Sequence, residues 1–228
     1  MDRRRGANVE LCASIQVQYW ATVLCFETRF FAKRQTIRCN TMTTKYLSTD
    51  IKDFLKRAST ETFLYAARQF VGLLEAANVD KGIFYSKAHA ALLDLYSAGY
   101  KLDQIELKYS SDNNDFDPNT LFEDRNAGQI SELGAEAFYW EVFDPTYSEK
   151  EGQQKSGWTI TDREATQGWL VDVFADIYRD LKIELLKIDN IGTDEAVEDA
   201  LWQLKWSFNH HWGQHCINAL RYFHYQGK

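Results

Sequence analysis

The chain has 228 residues with a net charge of −7 at pH 7. This acidic balance excludes the basic footprint that nonspecific nucleic-acid binding requires. No run approaches the 18 or so consecutive apolar residues of a membrane-spanning helix, so we expect neither a membrane nor a nucleic acid as partner. The length suits one domain, and the 33 aromatic residues can fill a large core. Only two prolines are present, which favours long helices.

The first 41 residues differ from the rest of the chain. They contain seven Lys or Arg against three Asp or Glu, and three of the four cysteines. Because the whole chain carries −7, residues 42–228 carry −11. We therefore expect a basic N-terminal extension over 1–41, either disordered or spurious, and a helical domain over 42–228. The single cysteine of that domain, Cys216, has no internal disulfide partner, which predicts a reducing, cytoplasmic location.

The first two predicted elements are helices. Apolar residues recur at three-to-four spacing over 49–77, which predicts one long helix with a joint at Ser59–Thr60. Asp80 then caps a second helix over 81–98, and Gly99 is expected to stop it. The short connection between these helices predicts that they pack as antiparallel neighbours.

The middle of the chain is less regular. Residues 105–109 suggest a short extended piece, and a third helix is predicted over 129–143, ended by Asp144–Pro145. After a polar linker, Thr161 and Glu164 form a capping box that predicts the start of a fourth helix. That helix is expected to continue to Ile188, with a buried stripe of Leu170, Val173, Phe174, Ile177, Leu181, Leu185 and Ile188.

The last predicted element is one helix from the Thr193 cap to near the C-terminus, after a break at Gly192. Its first apolar face contains Val197, Leu201, Leu204, Phe208, His211, His215 and Tyr222. A second series lies well round the helix and contains Trp202, Trp206, Gly213, Ile217 and Leu220. A helix with this pattern is usually buried among others. The sequence therefore predicts an all-α bundle of about five helices around a buried C-terminal helix.

Three patches resemble a known family. They are Y-W-E-V-F-D-P at 139–145, D-I-Y-R-D-L-K at 176–182, and W-x3-W-x-F-x2-H-W-G-x-H-x3-A-L-R-x2-H from Trp202. Together they resemble the bacterial domain-of-unknown-function family DUF5063, over about Leu47 to His224. The resemblance implies a helical fold. It implies no activity, cofactor or catalytic residue, because the family is uncharacterised.

One pattern has the spacing of a metal site. His211 and His215 lie four residues apart, which puts both imidazoles on one helical face, where they can bind one ion. Asp172, Asp176 and Asp180 repeat at the same spacing on the preceding helix and could supply carboxylates. The metal hypothesis uses His211, His215 and Asp176. Trp212 stands where the zinc-protease motif H-E-x-x-H has its general-base Glu, so that reaction class is not expected.

Packing explains the same residues without a ligand. A buried neutral imidazole needs one donor and one acceptor, which a neighbouring Asp or carbonyl supplies. Trp202, Trp206 and Trp212 are most simply core residues. Three alternatives therefore stay open for the pocket candidates: structural histidines, a divalent metal site, and a small-molecule pocket formed by His211, His215, Asp172, Asp176, Asp180 and Trp212.

These alternatives define two functional hypotheses. The first is a noncatalytic binding or regulatory module with no cofactor, whose partner is an unknown protein or small molecule. The second is a metal-dependent enzyme that uses a His/Asp site between the last two helices. No glycine-rich phosphate loop, C-x-x-C pair or G-x-S-x-G motif assigns a catalytic residue. The geometry around His211 and His215 distinguishes the two hypotheses.

Overall fold

The computed structural model describes residues 47–76, 79–110, 127–134, 137–141 and 165–226. Within them the chain is helical, with one small antiparallel sheet, so the all-α prediction is confirmed. The helices are α1 (Thr49–Leu55), α2 (Ala58–Glu75), α3 (Lys81–Lys101), α4 (Leu170–Leu186), α5 (Asp194–His210) and α6 (Trp212–Gln226). The remaining elements are a 3₁₀ turn (Gly128–Leu133), strands β1 (Phe138–Glu141) and β2 (Thr166–Trp169), and a π-helical turn (Lys187–Ile191) after α4. The predicted extension over 1–41, the 161–164 capping box and Asp144–Pro145 lie outside the described residues.

Helix α4 runs through the core, in contact with α2, α5 and α6. Every residue of its predicted apolar stripe is buried, which confirms that stripe. Phe174 lies at the centre, where its ring is 5.5 Å from that of Phe70 on α2 and 5.9 Å from that of Phe223 on α6. No helix in the described part of the chain combines the length with the apolar composition that a membrane span requires.

Two predicted helix caps are confirmed, and two predicted helix limits are wrong. Asp80 Oδ1 accepts a hydrogen bond from the Ile83 N–H (3.1 Å), and Thr193 Oγ1 accepts one from the Ala196 N–H (3.3 Å). The predicted first helix is divided at residues 56–57, earlier than its expected joint. Helix α3 continues past Gly99 and ends at Lys101, so Gly99 does not terminate it. Gly99 instead permits close packing, since a Cβ there would clash with the Trp212 and Phe208 rings.

The predicted third helix is wrong. Within the described residues, Gly128–Leu133 forms the 3₁₀ turn, Gly134 has a positive φ (86°), and Phe138–Glu141 forms β1. Aromatic side chains at 138–140 favour this extended backbone. Strand β1 pairs with β2, with Phe138 opposite Trp169 and Glu141 opposite Thr166. Because β2 precedes α4 directly, the fourth helix begins at Leu170, later than the capping box predicts.

The predicted single C-terminal helix is also wrong, because it breaks at His211. That residue has φ −144° and ψ −87°, and its N–H donates the last hydrogen bond of α5 to the Ser207 carbonyl (2.7 Å). Gly213 makes the turn feasible, since a Cβ there would overlap the Phe208 carbonyl oxygen. The break directs Trp212 into the core, where it is fully buried and its indole N–H donates to the Leu204 carbonyl (3.2 Å).

The two apolar faces predicted for this segment differ in burial. The α5 part of the first face is buried, from Val197 to Phe208. The second series is mixed: Trp206 is 43% exposed and Ile217 is 46% exposed, whereas Trp202 and Leu220 are partly buried against the core and Gly213 is buried. Trp206 stacks on the rings of Trp202 (6.0 Å) and His210 (4.6 Å) instead of packing inward. The core assignment is therefore correct for Trp212 and wrong for Trp206, while Trp202 packs against the core and is only partly buried.

Candidate functional site

The acidic side of α4 provides one half of the site. Asp172, Asp176 and Asp180 are spaced by four residues and therefore line one side of the helix, beside its buried stripe. Asp176 and Asp180 are partly buried, with side chains 34% and 23% exposed. The buried face of α4 fixes the position of this carboxylate row, because the helix is held on three sides by α2, α5 and α6.

The break between α5 and α6 provides the other half. His211 lies at the break, and His215 lies in the first turn of α6. Their rings are nearly perpendicular, with centroids 4.6 Å apart, and the two Nε2 atoms are separated by 3.2 Å. The side chain of His211 is 46% exposed and that of His215 is 22% exposed, so solvent reaches the pair from the His211 side.

The two halves meet through two His–Asp contacts. His211 Nδ1 is 2.8 Å from Asp180 Oδ2, and His215 Nε2 is 3.6 Å from Asp176 Oδ2. Carboxylates, and no Trp or Leu side chain, therefore form these contacts with the imidazoles. The structure thus brings together four of the six sequence-predicted residues.

The two other predicted residues lie elsewhere. Trp212 is a core residue whose ring contacts those of Phe63 and Phe208, so it does not line the site. Asp172 has no direct contact with either histidine among the described residues, although its charge acts on Tyr139. The candidate site is therefore limited to Asp176, Asp180, His211 and His215 from the original set.

Two of the three pairs of ligand atoms in this set have the spacing of a metal site. One atom each from Asp176, His211 and His215 lie within 4.8 Å of one another. A tetrahedral ion with bonds of about 2.1 Å needs ligand atoms about 3.4 Å apart. The His211–His215 separation of 3.2 Å and the His215–Asp176 separation of 3.6 Å are close to that value.

The hydrogen bond to Asp180 selects the tautomer of His211. A carboxylate only accepts, so the proton of a neutral His211 lies on Nδ1 and its Nε2 lone pair faces His215. This carboxylate–imidazole pair is the usual support of a metal-binding histidine, since it fixes the ring and makes the free nitrogen more basic.

His215 is held in its neutral form. Burial lowers its pKa and the nearby His211 lowers it further, while the charges of Asp176, Asp180 and Glu141 act in the opposite direction. A metal ion requires the neutral imidazole, so this environment favours metal binding near neutral pH. The His215 Nδ1 atom is buried and has no hydrogen-bond partner among the described residues.

Beside the histidines lies a group of polar residues that the sequence did not predict. Asn218 Nδ2 donates a short hydrogen bond to Glu141 Oε2, and the Tyr139 hydroxyl donates to the same oxygen (3.4 Å). Burial raises the pKa of Tyr139, so its hydroxyl stays protonated. Both β1 residues lie in the Y-W-E patch, whose family resemblance was the available signal, but the helix predicted there placed them wrongly.

Comparisons with known proteins identify the fold and the family. The crystal structure of protein BF1032 from Bacteroides fragilis is similar, with a TM-score of 0.52 at 20% sequence identity, covering 75% of this chain and 93% of that one. At this identity the likeness concerns the fold alone. A search of the curated proteins finds no match. The family model for a domain of unknown function, DUF5063, matches residues 55–227, most of the described helical domain. The chain therefore belongs to the DUF5063 family.

Proposed function

We propose that this domain binds a divalent metal ion of the zinc class through Asp176, His211 and His215. The observation that supports the proposal is the convergence of their three ligand atoms within 4.8 Å. Two neutral imidazoles and one carboxylate form a ligand set that zinc and related ions use. Asp180 supports the site from outside by orienting His211.

Three protein ligands leave a tetrahedral ion with one open position, which is the pattern of catalytic rather than structural zinc sites. The exposure of His211 gives solvent access to that side. We therefore favour a metal-dependent activity on a small molecule that reaches the open position. The bound ion would act as a Lewis acid or lower the pKa of a bound water.

A second candidate is a noncatalytic binding or regulatory module in which these residues only join helices. The contacts exist without an ion: Asp180 bonds His211 at 2.8 Å, and Asp176 lies 4.0 Å from Arg179. In that case the His–Asp pairs connect α4 to the α5–α6 break. This alternative predicts a stable protein that binds no transition metal.

Metal analysis distinguishes the two candidates. Protein purified without chelator or His tag should contain a transition metal, and the metal-free protein should bind Zn²⁺ and Co²⁺. Asp176→Asn should weaken binding by more than the 10–100-fold that loss of a supporting outer residue costs. Asp172→Asn is the matched control, since it removes the same charge one turn earlier, and it should keep wild-type affinity.

The contrary results are equally specific. A metal-free wild-type protein that binds neither ion at micromolar concentration would favour the noncatalytic module. Equal losses in Asp176→Asn and Asp172→Asn would mean that general negative charge, and not a ligand set, attracts the ion.

A further inference from the structure

Among the described residues, the buried Nδ1 atom of His215 has no hydrogen-bond partner, which requires an explanation because buried polar atoms nearly always have one. When Nε2 of a histidine binds a metal ion, its proton lies on Nδ1 and needs an acceptor. Asp180 supplies that acceptor for His211, and no equivalent hydrogen bond reaches His215 within the described part of the chain. Among the described residues, the proposed metal site therefore lacks a hydrogen-bond acceptor for the Nδ1–H of His215.

Glu141, the last residue of β1, is a carboxylate that contacts the same helix as His215. Its Oε2 atom is bound by Asn218, which is three residues after His215 and therefore on the same side of α6. The carboxylate is thus held within about one helical turn of His215 along α6.

Only one oxygen of this carboxylate accepts a hydrogen bond from the described residues. The hydrogen bonds that Glu141 accepts at its side chain from the described residues, from Asn218 and Tyr139, both go to Oε2. Oε1 is left to accept from another donor.

We infer that Glu141 is a positioning residue that accepts a hydrogen bond from the His215 Nδ1–H in the metal-bound site. The inference rests on the proposed metal site. In this arrangement each histidine has its own supporting carboxylate, Asp180 for His211 and Glu141 for His215. The small sheet then has a role in the site, because β1 delivers the second carboxylate.

Glu141→Gln tests this directly. An amide has one oxygen, which Asn218 and Tyr139 already occupy, so its NH₂ group would face the His215 Nδ1–H, donor against donor. Zn²⁺ affinity, measured by competition with a chromophoric chelator, should fall 10–100-fold. Asp172→Asn removes one charge from the same region without touching that hydrogen bond, and it should bind as the wild type does. Far-UV circular dichroism and melting of the metal-free forms establish that the variants fold.

A spectroscopic measurement separates positioning from a structural role. In the zinc-loaded wild type, ¹⁵N–¹H correlation of the His215 ring should show a proton on Nδ1 that is shifted downfield and slow to exchange. In Glu141→Gln that proton should exchange faster. Should Glu141→Gln fail to fold, Glu141→Asp retracts the carboxylate by one methylene, and its Zn²⁺ affinity should fall at least tenfold.

The failures of the inference and of the proposed function are distinguishable. Wild-type protein that binds Zn²⁺ no more tightly than Glu141→Gln, or Glu141→Asp where that replaces it, overturns the inference and leaves the metal site standing. The inference is also overturned if the Nδ1 proton of His215 exchanges equally fast in the zinc-loaded wild type and in zinc-loaded Glu141→Gln. Wild-type protein that binds no metal overturns both.

Discussion

Gly99 shows how strongly one residue can limit the packing of this core. It lies in α3, and a Cβ built on it would be 2.6 Å from Trp212 Cη2 and 2.8 Å from Phe208 Cδ2. The two rings lie on either side of the α5–α6 break, since Phe208 is in α5 and Trp212 is in α6. The glycine therefore lets α3 approach the segment that positions His211, which explains why the helix contains it without ending there.

Gly99→Ala should destabilise the protein by about 1–3 kcal/mol, because a methyl group there forces rigid aromatic rings to move. Gly72→Ala in α2 is the matched control, since a Cβ there meets nothing within 4 Å. That control should gain about 0.5–1 kcal/mol from helix propensity. Urea unfolding measures both variants. If Gly99→Ala were as stable as Gly72→Ala, the aromatic rings would move to accommodate the methyl group without loss of stability.

For single residues, the sequence predicts those positions that are indicated by spacing within one segment of the chain. Four-residue spacing predicted that Asp176 and Asp180 share one side of α4 and that His211 and His215 lie near each other, although the break at His211 means that the two histidines do not share one helix. Glu141 and Asn218 were missed because their contact joins a strand to a helix 77 residues later. No periodicity within either segment indicates such a contact, and the helix predicted over β1 concealed it.

At the scale of elements, the C-terminal end of α4 contains a buried ionic group. Lys187, at the start of the π-helical turn, is 2.8 Å from Glu184 Oε2 and 2.7 Å from Asp199 Oδ2 on α5. Lys187 and Glu184 are 6% and 8% exposed. Burial raises the pKa of Glu184 to about 7, although the charge of Lys187 acts against that rise. The cluster joins α4 to α5 at a cost that depends on pH.

The pH dependence follows from the direction of that shift. Glu184 has a higher pKa when folded than its ordinary value of 4.5, so folding favours its protonated form. Its contribution to stability is complete below about pH 4.5 and is lost as the pH rises through about 7. Glu184→Gln mimics the protonated form and should be more stable than the wild type at pH 8 by about 1–3 kcal/mol. The two proteins should have nearly equal stability at pH 5.

Thermal melting at both pH values measures this difference. Glu106→Gln provides the control for the loss of one carboxylate, because Glu106 is exposed in the segment after α3. A wild type that is as stable as Glu184→Gln at pH 8 would show that Lys187 fully compensates the buried charge.

The elements themselves were only partly predictable. Caps at Asp80 and Thr193 and the stripe of α4 depend on neighbouring residues, and the structure has them as expected. The break at His211 was not predictable from periodicity, because the apolar spacing continues through it. It results from tertiary packing, in which burying Trp212 outweighs continuing the helix. Trp202, Trp206 and His210, which stack on one another, recur at the spacing that a buried helical face also has. The spacing alone therefore did not distinguish this stack from a buried face.

For the whole molecule, the proposed ion would connect segments that are otherwise joined through the core. Asp176 belongs to α4, while His211 and His215 belong to the break and to α6. A ligand that binds only the folded state stabilises it by RT ln(1 + [L]/Kd), about 2.7 kcal/mol at one hundred times Kd. The break at His211, the least regular part of the C-terminal segment, would be restrained most.

Zn²⁺ at one hundred times its Kd should therefore raise the melting temperature of the metal-free wild type by about 5–10 °C. His215→Ala should lose this shift, because it removes the central ligand, which lies close to both others. Asp172→Asn should keep it, since Asp172 contacts neither histidine among the described residues. Scanning calorimetry with and without Zn²⁺ measures all three proteins. The same shift in His215→Ala would place the stabilising ion elsewhere on the molecule and would remove the thermodynamic argument for a bridge between α4 and α6.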